Sequence, residues 1–197
     1  MWIKICGMTT PQAVAASLHA HVDAIGFVFA QSPRRLSPRL AHELAAPARG
    51  RLRCVAVTRH PTQAALEEIL AVFEPDILQT DAADLQALRL PAALELLPVF
   101  RAGETLVENL PARILFEGAM SGAGVAADWQ AAQELARHTQ VVLAGGLRSG
   151  TVAAAIAAVR PFGVDVSSGV EERPGIKSPL AIVEFVAAVR SAAAPAA

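Results

Sequence analysis

No apolar stretch in this chain of 197 residues is long enough to span a bilayer, which sets a membrane-spanning role aside. A basic excess is missing as well. The formal net charge is -1, so neither nucleic acid nor a membrane surface has an electrostatic footprint here. The two cysteines, Cys6 and Cys54, are too few for a disulfide framework. At the amino terminus no charged segment precedes an apolar region with a small-residue cleavage site, and a reducing cytoplasm is the expected compartment. No linker-like stretch and no literal repeat divides the chain. With 53% hydrophobic and 18% charged residues it can bury one sizeable core. The expectation is one domain over residues 1–197, monomeric or a weak homodimer, with an Ala-rich tail that frays from about residue 191.

What is there is an alternation. Short runs rich in Val, Ile, Leu and Phe read as strands: "WIKIC", "AIGFVF", "RCVAV", "DILQ", "LLPVF", "RILF", "VVLA" and "GVDVS". Between them lie Ala-rich amphipathic stretches that read as helices starting near Pro11, Ser37, Pro61, Ala82, Thr105, Trp129, Thr151 and Pro179. Strands separated by helices pair in parallel through right-handed crossovers. Eight such units predict an α/β fold of the closed (β/α)8 kind, the TIM barrel. At about 25 residues per unit the barrel must be compact with short loops. An open doubly wound sheet is the runner-up, but it needs a glycine-rich turn after the first strand, and "CGMTTP" has one glycine there.

In such a barrel the carboxyl ends of the strands carry the chemistry. Cys6 ends the first strand. Arg34 follows the second, Asp81 the fourth and Glu117 the sixth, while Asp165, Ser167 and Ser168 lie on and after the eighth. "LAGGLRSGT" ends the seventh with Gly145 and Gly146, and "DVSSGVEERPG" places Gly169 after the two serines. Glycines let backbone N–H groups approach an anion, and the loops after strands seven and eight commonly hold a phosphate. A phosphorylated small molecule is the expected ligand.

Each feature has a plainer reading. A cysteine at a strand end is more often a small buried side chain, and Cys54 within "RCVAV" is read that way. Gly145 and Gly146 are also what a plain turn requires. Arg34 and Arg35 read equally as a solvated pair, and Glu117 as a turn cap. His19, His21, His42, His60 and His138 fall on helices or loops away from the strand ends, and their spacing suggests no metal site.

Four blocks, "KICGMT", "DAIGFVFAQSPRRLSP", "LAGGL" and "GVDVSSGVEERPGIK", resemble the phosphoribosylanthranilate isomerase family of tryptophan biosynthesis. The resemblance implies a (β/α)8 barrel that needs no cofactor. It also implies an Amadori rearrangement of the aminoaldose N-(5-phosphoribosyl)anthranilate to the aminoketose 1-(2-carboxyphenylamino)-1-deoxyribulose 5-phosphate. By position, Cys6 matches the family's general base and Arg34 the arginine that holds the anthranilate carboxylate. Asp165 matches the aspartate near the sugar hydroxyls. Gly145, Gly146, Ser167, Ser168 and Gly169 match the phosphate cradle. Two positions depart from the pattern: Glu117, expected to serve as the general acid, stands where the family usually has an aspartate, and Asp81, expected among the substrate-binding residues, stands where histidine is usual, although Gln79 is kept. "GAGVAADW", from Gly122 to Trp129, resembles the family's glycine-containing loop in degraded form.

The chemistry of such a reaction asks for the same groups. Opening a furanose aminal needs an acid at the ring oxygen and then a base at C2. Cys6 and Glu117 supply two titrating groups with distinct reference pKa values. To act as a base the thiol must become thiolate, which a cation such as Lys4 or the substrate's own iminium favours. Two other functions stay open at this level: another sugar-phosphate barrel enzyme, a synthase or epimerase, and a non-catalytic barrel that binds a phosphorylated ligand.

Overall fold

The computed structural model describes residues 1–103, 110–118 and 128–194. Eight parallel strands close into a barrel in sequence order: β1 (Trp2–Cys6), β2 (Ala24–Val28), β3 (Arg53–Val57), β4 (Ile77–Asp81), β5 (Glu95–Arg101), β6 (Arg113–Glu117), β7 (Gln140–Leu143) and β8 (Gly163–Val166). Closure comes from β1 pairing with β8, with Lys4 opposite Asp165. Outside the strands lie α1 (Pro11–His19), α2 (Pro38–Ala45), α3 (Gln63–Phe73), α4 (Trp129–Leu135), α5 (Ser149–Val159) and α6 (Pro179–Ala193). No helix among the described residues is long and apolar enough to cross a membrane.

The helices start where the sequence offers a cap. Thr10, Ser37, Thr62, Asp128 and Ser178 each accept a hydrogen bond from a backbone N–H in the first turn, and Pro follows directly in α1, α2 and α6. In α6 the buried residues Ile182, Phe185, Val186 and Val189 fall at spacings of three, four and seven, one stripe of a helix laid on the barrel.

Two hydrophobic clusters divide the strands by parity. Ile5, Phe27, Ala56, Leu78, Phe116 and Val164 pack outward against the helices. Ala24, Val55, Ile77, Leu97, Leu115 and Val142 fill the lumen. Because strand side chains alternate, Lys4, Cys6, Gln79, Asp81, Arg101, Glu117 and Asp165 share the lumen parity of these residues. At the amino end of the strands Trp2 and Phe162 stack at 6.5 Å, and the Arg113 guanidinium lies 4.4 Å above the Phe162 ring. Polar lumen residues therefore gather toward the opposite end.

Several sequence expectations need correction. The stretch from Ala82 forms a short 3-10 turn, Ala82–Gln86, where an α-helix was expected. Its Asp84 carboxylate is tied to the Thr80 hydroxyl and to the His60 backbone N–H, which pins the chain before a regular helix can extend. Helix α5 begins at Ser149, in line with the helix expected near Thr151. The segment after β8 was not foreseen as a hairpin, yet β9 (Glu171–Arg173) pairs antiparallel with β10 (Ile176–Lys177). The helix expected from Thr105 and most of "GAGVAADW" lie outside the described residues, as do residues 195–197.

Candidate active site

A cavity of about 500 Å³ opens at the carboxyl ends of the strands, a size suited to a small-molecule ligand. Its walls bring together every residue that the sequence singled out: Cys6, Arg34, Asp81, Glu117, Gly145, Gly146, Asp165, Ser167, Ser168 and Gly169.

Below the cavity mouth, Lys4 Nζ donates to Asp165 Oδ1 at 2.8 Å, with the lysine side chain fully buried. Taking both charges out of water offsets much of their attraction, so the pair is weak evidence for stability. Its value lies in what stands above it on β1. Burial would drive the proton from Lys4, but Asp165 and then Cys6 outweigh it, and the amine titrates above its ordinary value. For Cys6 the balance goes the other way. Burial pushes the thiol up, Asp165 adds to that, and the opposing pull of Lys4 and Lys177 does not cancel it. Of the two cations expected to favour the thiolate, Lys4 is thus outweighed by burial, which leaves the substrate's own iminium.

Arg34 does not stand as an open fork. Its Nε and Nη2 donate to Glu171 Oε1 and Oε2 at 2.7 and 2.8 Å, a bidentate pair between the loop after β2 and the hairpin after β8. Lys177 Nζ donates to the same Glu171 Oε1 at 2.7 Å, and to the Ser167 carbonyl and hydroxyl at 3.0 and 3.2 Å. Burial raises the Glu171 carboxyl, but its hydrogen bonds from Arg34 and Lys177 prevail and hold it below the usual range. The glycine after Cys6 makes this convergence possible. Gly7 has φ +82°, and a Cβ there would lie 2.5 Å from Arg34 Cδ and 3.3 Å from Lys177 Nζ.

Across the mouth, Arg101 Nη2 lies 2.6 Å from Asp81 Oδ1 and 3.1 Å from Glu117 Oε1. One guanidinium thus stands between two acids. Asp81 also has Arg59 Nε at 3.7 Å and His60 Nε2 at 3.4 Å. His60, read from sequence as remote from the strand ends, reaches them through this contact. His60, Asp81 and Asp84 bring three potential ligand atoms within 4.8 Å. Those groups are already engaged by Arg59, Arg101, Thr80 and one another, so the cluster reads as a network of ion pairs and hydrogen bonds.

The loops after β7 and β8 touch. A Cβ on Gly169 would sit 1.9 Å from the Leu147 carbonyl oxygen, so only glycine permits their close approach. That joins Gly145 and Gly146 to Ser167, Ser168 and Gly169 as one rim of the cavity.

Sequence reasoning missed Glu171, Lys177, Arg101 and Arg59. For the first two a signal existed: Pro174 and Gly175 between short runs mark a tight turn, and the hairpin it closes sets Lys177 opposite Glu171. For Arg101 and Arg59 the signal was position alone, at or after the carboxyl end of a strand.

Comparison with known proteins identifies the family. Residues 3–188 match the family model described as N-(5'phosphoribosyl)anthranilate (PRA) isomerase. An N-(5'-phosphoribosyl)anthranilate isomerase of Rhizobium etli is 38% identical, over 98% of this chain and 96% of the relative. Among solved structures, TrpF from Jonesia denitrificans is 33% identical with a TM-score of 0.83, each chain covered in full. The phosphoribosyl anthranilate isomerase of Thermus thermophilus is 25% identical with the same TM-score, covering 97% of this chain and 99% of the other. With the family model matched over residues 3–188 and a relative 38% identical over nearly the whole chain, the chain belongs to the phosphoribosylanthranilate isomerase family.

Proposed function

We propose that this barrel converts N-(5-phosphoribosyl)anthranilate to 1-(2-carboxyphenylamino)-1-deoxyribulose 5-phosphate, a step of tryptophan biosynthesis carried out in the cytoplasm. The observation that carries the reading is the placement of a thiol and a carboxyl group, Cys6 and Glu117, on the wall of one cavity, three strands apart around the barrel. The reaction shifts hydrogen within one molecule, so acid and base groups suffice for it. Glu117 gives a proton to the ring oxygen; the C1–O bond breaks, and the nitrogen lone pair forms the iminium. Cys6 then removes the proton from C2, and the electrons of that C–H bond neutralise the iminium to give an enolamine. Protonation at C1 and loss of the C2 hydroxyl proton yield the ketone.

Binding follows the charges. The rim of Gly145, Gly146, Ser167, Ser168 and Gly169 takes the phosphate, where close backbone N–H groups suit an anion. Arg34, whose Nε and Nη2 are held by Glu171, offers its Nη1 side to the anthranilate carboxylate, and Asp165 lies toward the sugar hydroxyls. Asp81 fixes Arg101 and through it that wall of the site. The direct experiment is to supply N-(5-phosphoribosyl)anthranilate to purified protein and follow formation of the aminoketose. In parallel the gene should restore growth of a tryptophan-requiring bacterial strain that lacks this isomerase. No turnover and no rescue would overturn the proposal.

A variant tests the phosphate rim separately. Gly169→Ala must push the two loops apart, and a misplacement on the order of 1 Å can cost about a hundredfold in rate. We expect kcat/KM to fall by roughly that factor and inhibition by inorganic phosphate to weaken with it. Circular dichroism should stay that of the wild-type barrel. Unchanged inhibition by phosphate would remove Gly169 from the binding rim.

A further inference from the structure

Gln79, on β4, is 7% exposed and lines the cavity, and its side-chain oxygen Oε1 is buried with no hydrogen-bond partner among the described residues. A buried carbonyl left unpaired is costly, and such groups are uncommon in folded proteins. Nothing in the backbone forces the situation. The Gln79 main-chain carbonyl is satisfied by the Thr58 N–H at 2.9 Å, and the strand is paired to β3 at Val57 and to β5 at Leu97. Only the side-chain oxygen is unmatched, and the residue lines a cavity whose walls include the apolar Val57 and Val99.

We propose that Gln79 is a substrate-binding residue whose amide takes a hydrogen bond from a hydroxyl on the sugar backbone of the substrate. The inference rests on the isomerase reading above and adds a contact to it. The two charged ends of the substrate are accommodated elsewhere, the phosphate by the loops after β7 and β8 and the carboxylate by Arg34 after β2. Gln79 lies one lumen position deeper than Asp81 on β4, on neither of the segments assigned to the charged ends, so the uncharged polyol is the part left to reach it. A hydroxyl is also the chemistry that fits best, because it both donates and accepts and so satisfies either face of an amide. Binding then supplies the partner that the unliganded protein lacks.

This makes an unusual pair of expectations for Gln79→Met, which keeps the length of the side chain and removes its polar atoms. The kcat/KM for N-(5-phosphoribosyl)anthranilate should fall about tenfold to a hundredfold, the range for a lost polar contact in a closed site. The melting temperature of the unliganded protein should stay the same or rise by a few degrees, because an unmatched buried polar group has been removed. Inhibition by inorganic phosphate, which carries no sugar, should be unchanged. A variant with wild-type kcat/KM overturns the inference and leaves the isomerase reading intact. A loss of activity accompanied by a lower melting temperature also overturns it, since Gln79 would then be a structural residue. A wild-type protein that turns over no substrate overturns the isomerase reading, and the sugar hydroxyl with it.

Discussion

Cys6→Ala should lower kcat by about two orders of magnitude or more, the usual size of a general-base contribution, in a protein that folds as before. The change is small, and the side chain it removes lies at the top of the lumen rather than in either packed hydrophobic cluster. The raised titration of this thiol makes the expectation sharper. Burial outweighs the pull of Lys4 and Lys177 on this thiol, and the Asp165 carboxylate adds to the rise. A base that is protonated at rest needs a further positive charge at the moment of proton transfer, and the iminium formed at C1 of the substrate provides one beside the carbon that loses its proton. A thiol whose titration burial raises should therefore react slowly with oxidants and alkylating agents until the substrate has been opened. Slow alkylation of Cys6 in the free protein, with steady-state kinetics of Cys6→Ala, checks both halves. A wild-type kcat in the variant would remove Cys6 from the mechanism.

How far the sequence disclosed this arrangement depends on the range of the interaction involved. Strands such as "WIKIC" and "GVDVS" were legible because a buried parallel strand is a local apolar run, and the helices because Thr10, Ser37, Thr62 and Ser178 are local caps. Order around the barrel then follows from short right-handed connections. Cys6, Glu117 and Asp165 were legible as candidate site residues for the same reason: they sit on strands, near the ends that converge on the cavity. What stayed hidden depends on partners distant in sequence. Nothing local to Arg34 says that Glu171, 137 positions away, will occupy its fork. Nor does anything near Lys4 show that its amine will be paired across the closing seam of the barrel, 161 positions on. His60 was misplaced because its role depends on Asp81 and Asp84, which only the folded loops bring to it.

Glu117→Gln should reduce kcat and kcat/KM together, by about a hundredfold, with little change in KM, because proton donation to the ring oxygen counts in the transition state and not in binding. Its pH dependence separates it from every structural explanation. The wild-type reaction needs the acid form of a carboxyl group and the base form of a thiol at once. Between the titration of the acid and that of the base, one fraction falls as fast as the other rises, so kcat/KM should be nearly flat. Removing the acid leaves only the thiolate requirement. The residual activity of Glu117→Gln should then climb about tenfold per pH unit, and keep climbing beyond the ordinary thiol range because burial holds Cys6 high. Cys6→Ala should show the mirror image, a residual activity that falls as pH rises. Asp81→Asn, measured alongside, should lose activity without either slope, because Asp81 acts through Arg101 Nη2, 2.6 Å from it, which in turn lies 3.1 Å from Glu117. If instead Asp81→Asn acquires the rising slope and Glu117→Gln keeps the flat wild-type profile, the proton comes from β4, and Glu117 serves only to hold Arg101.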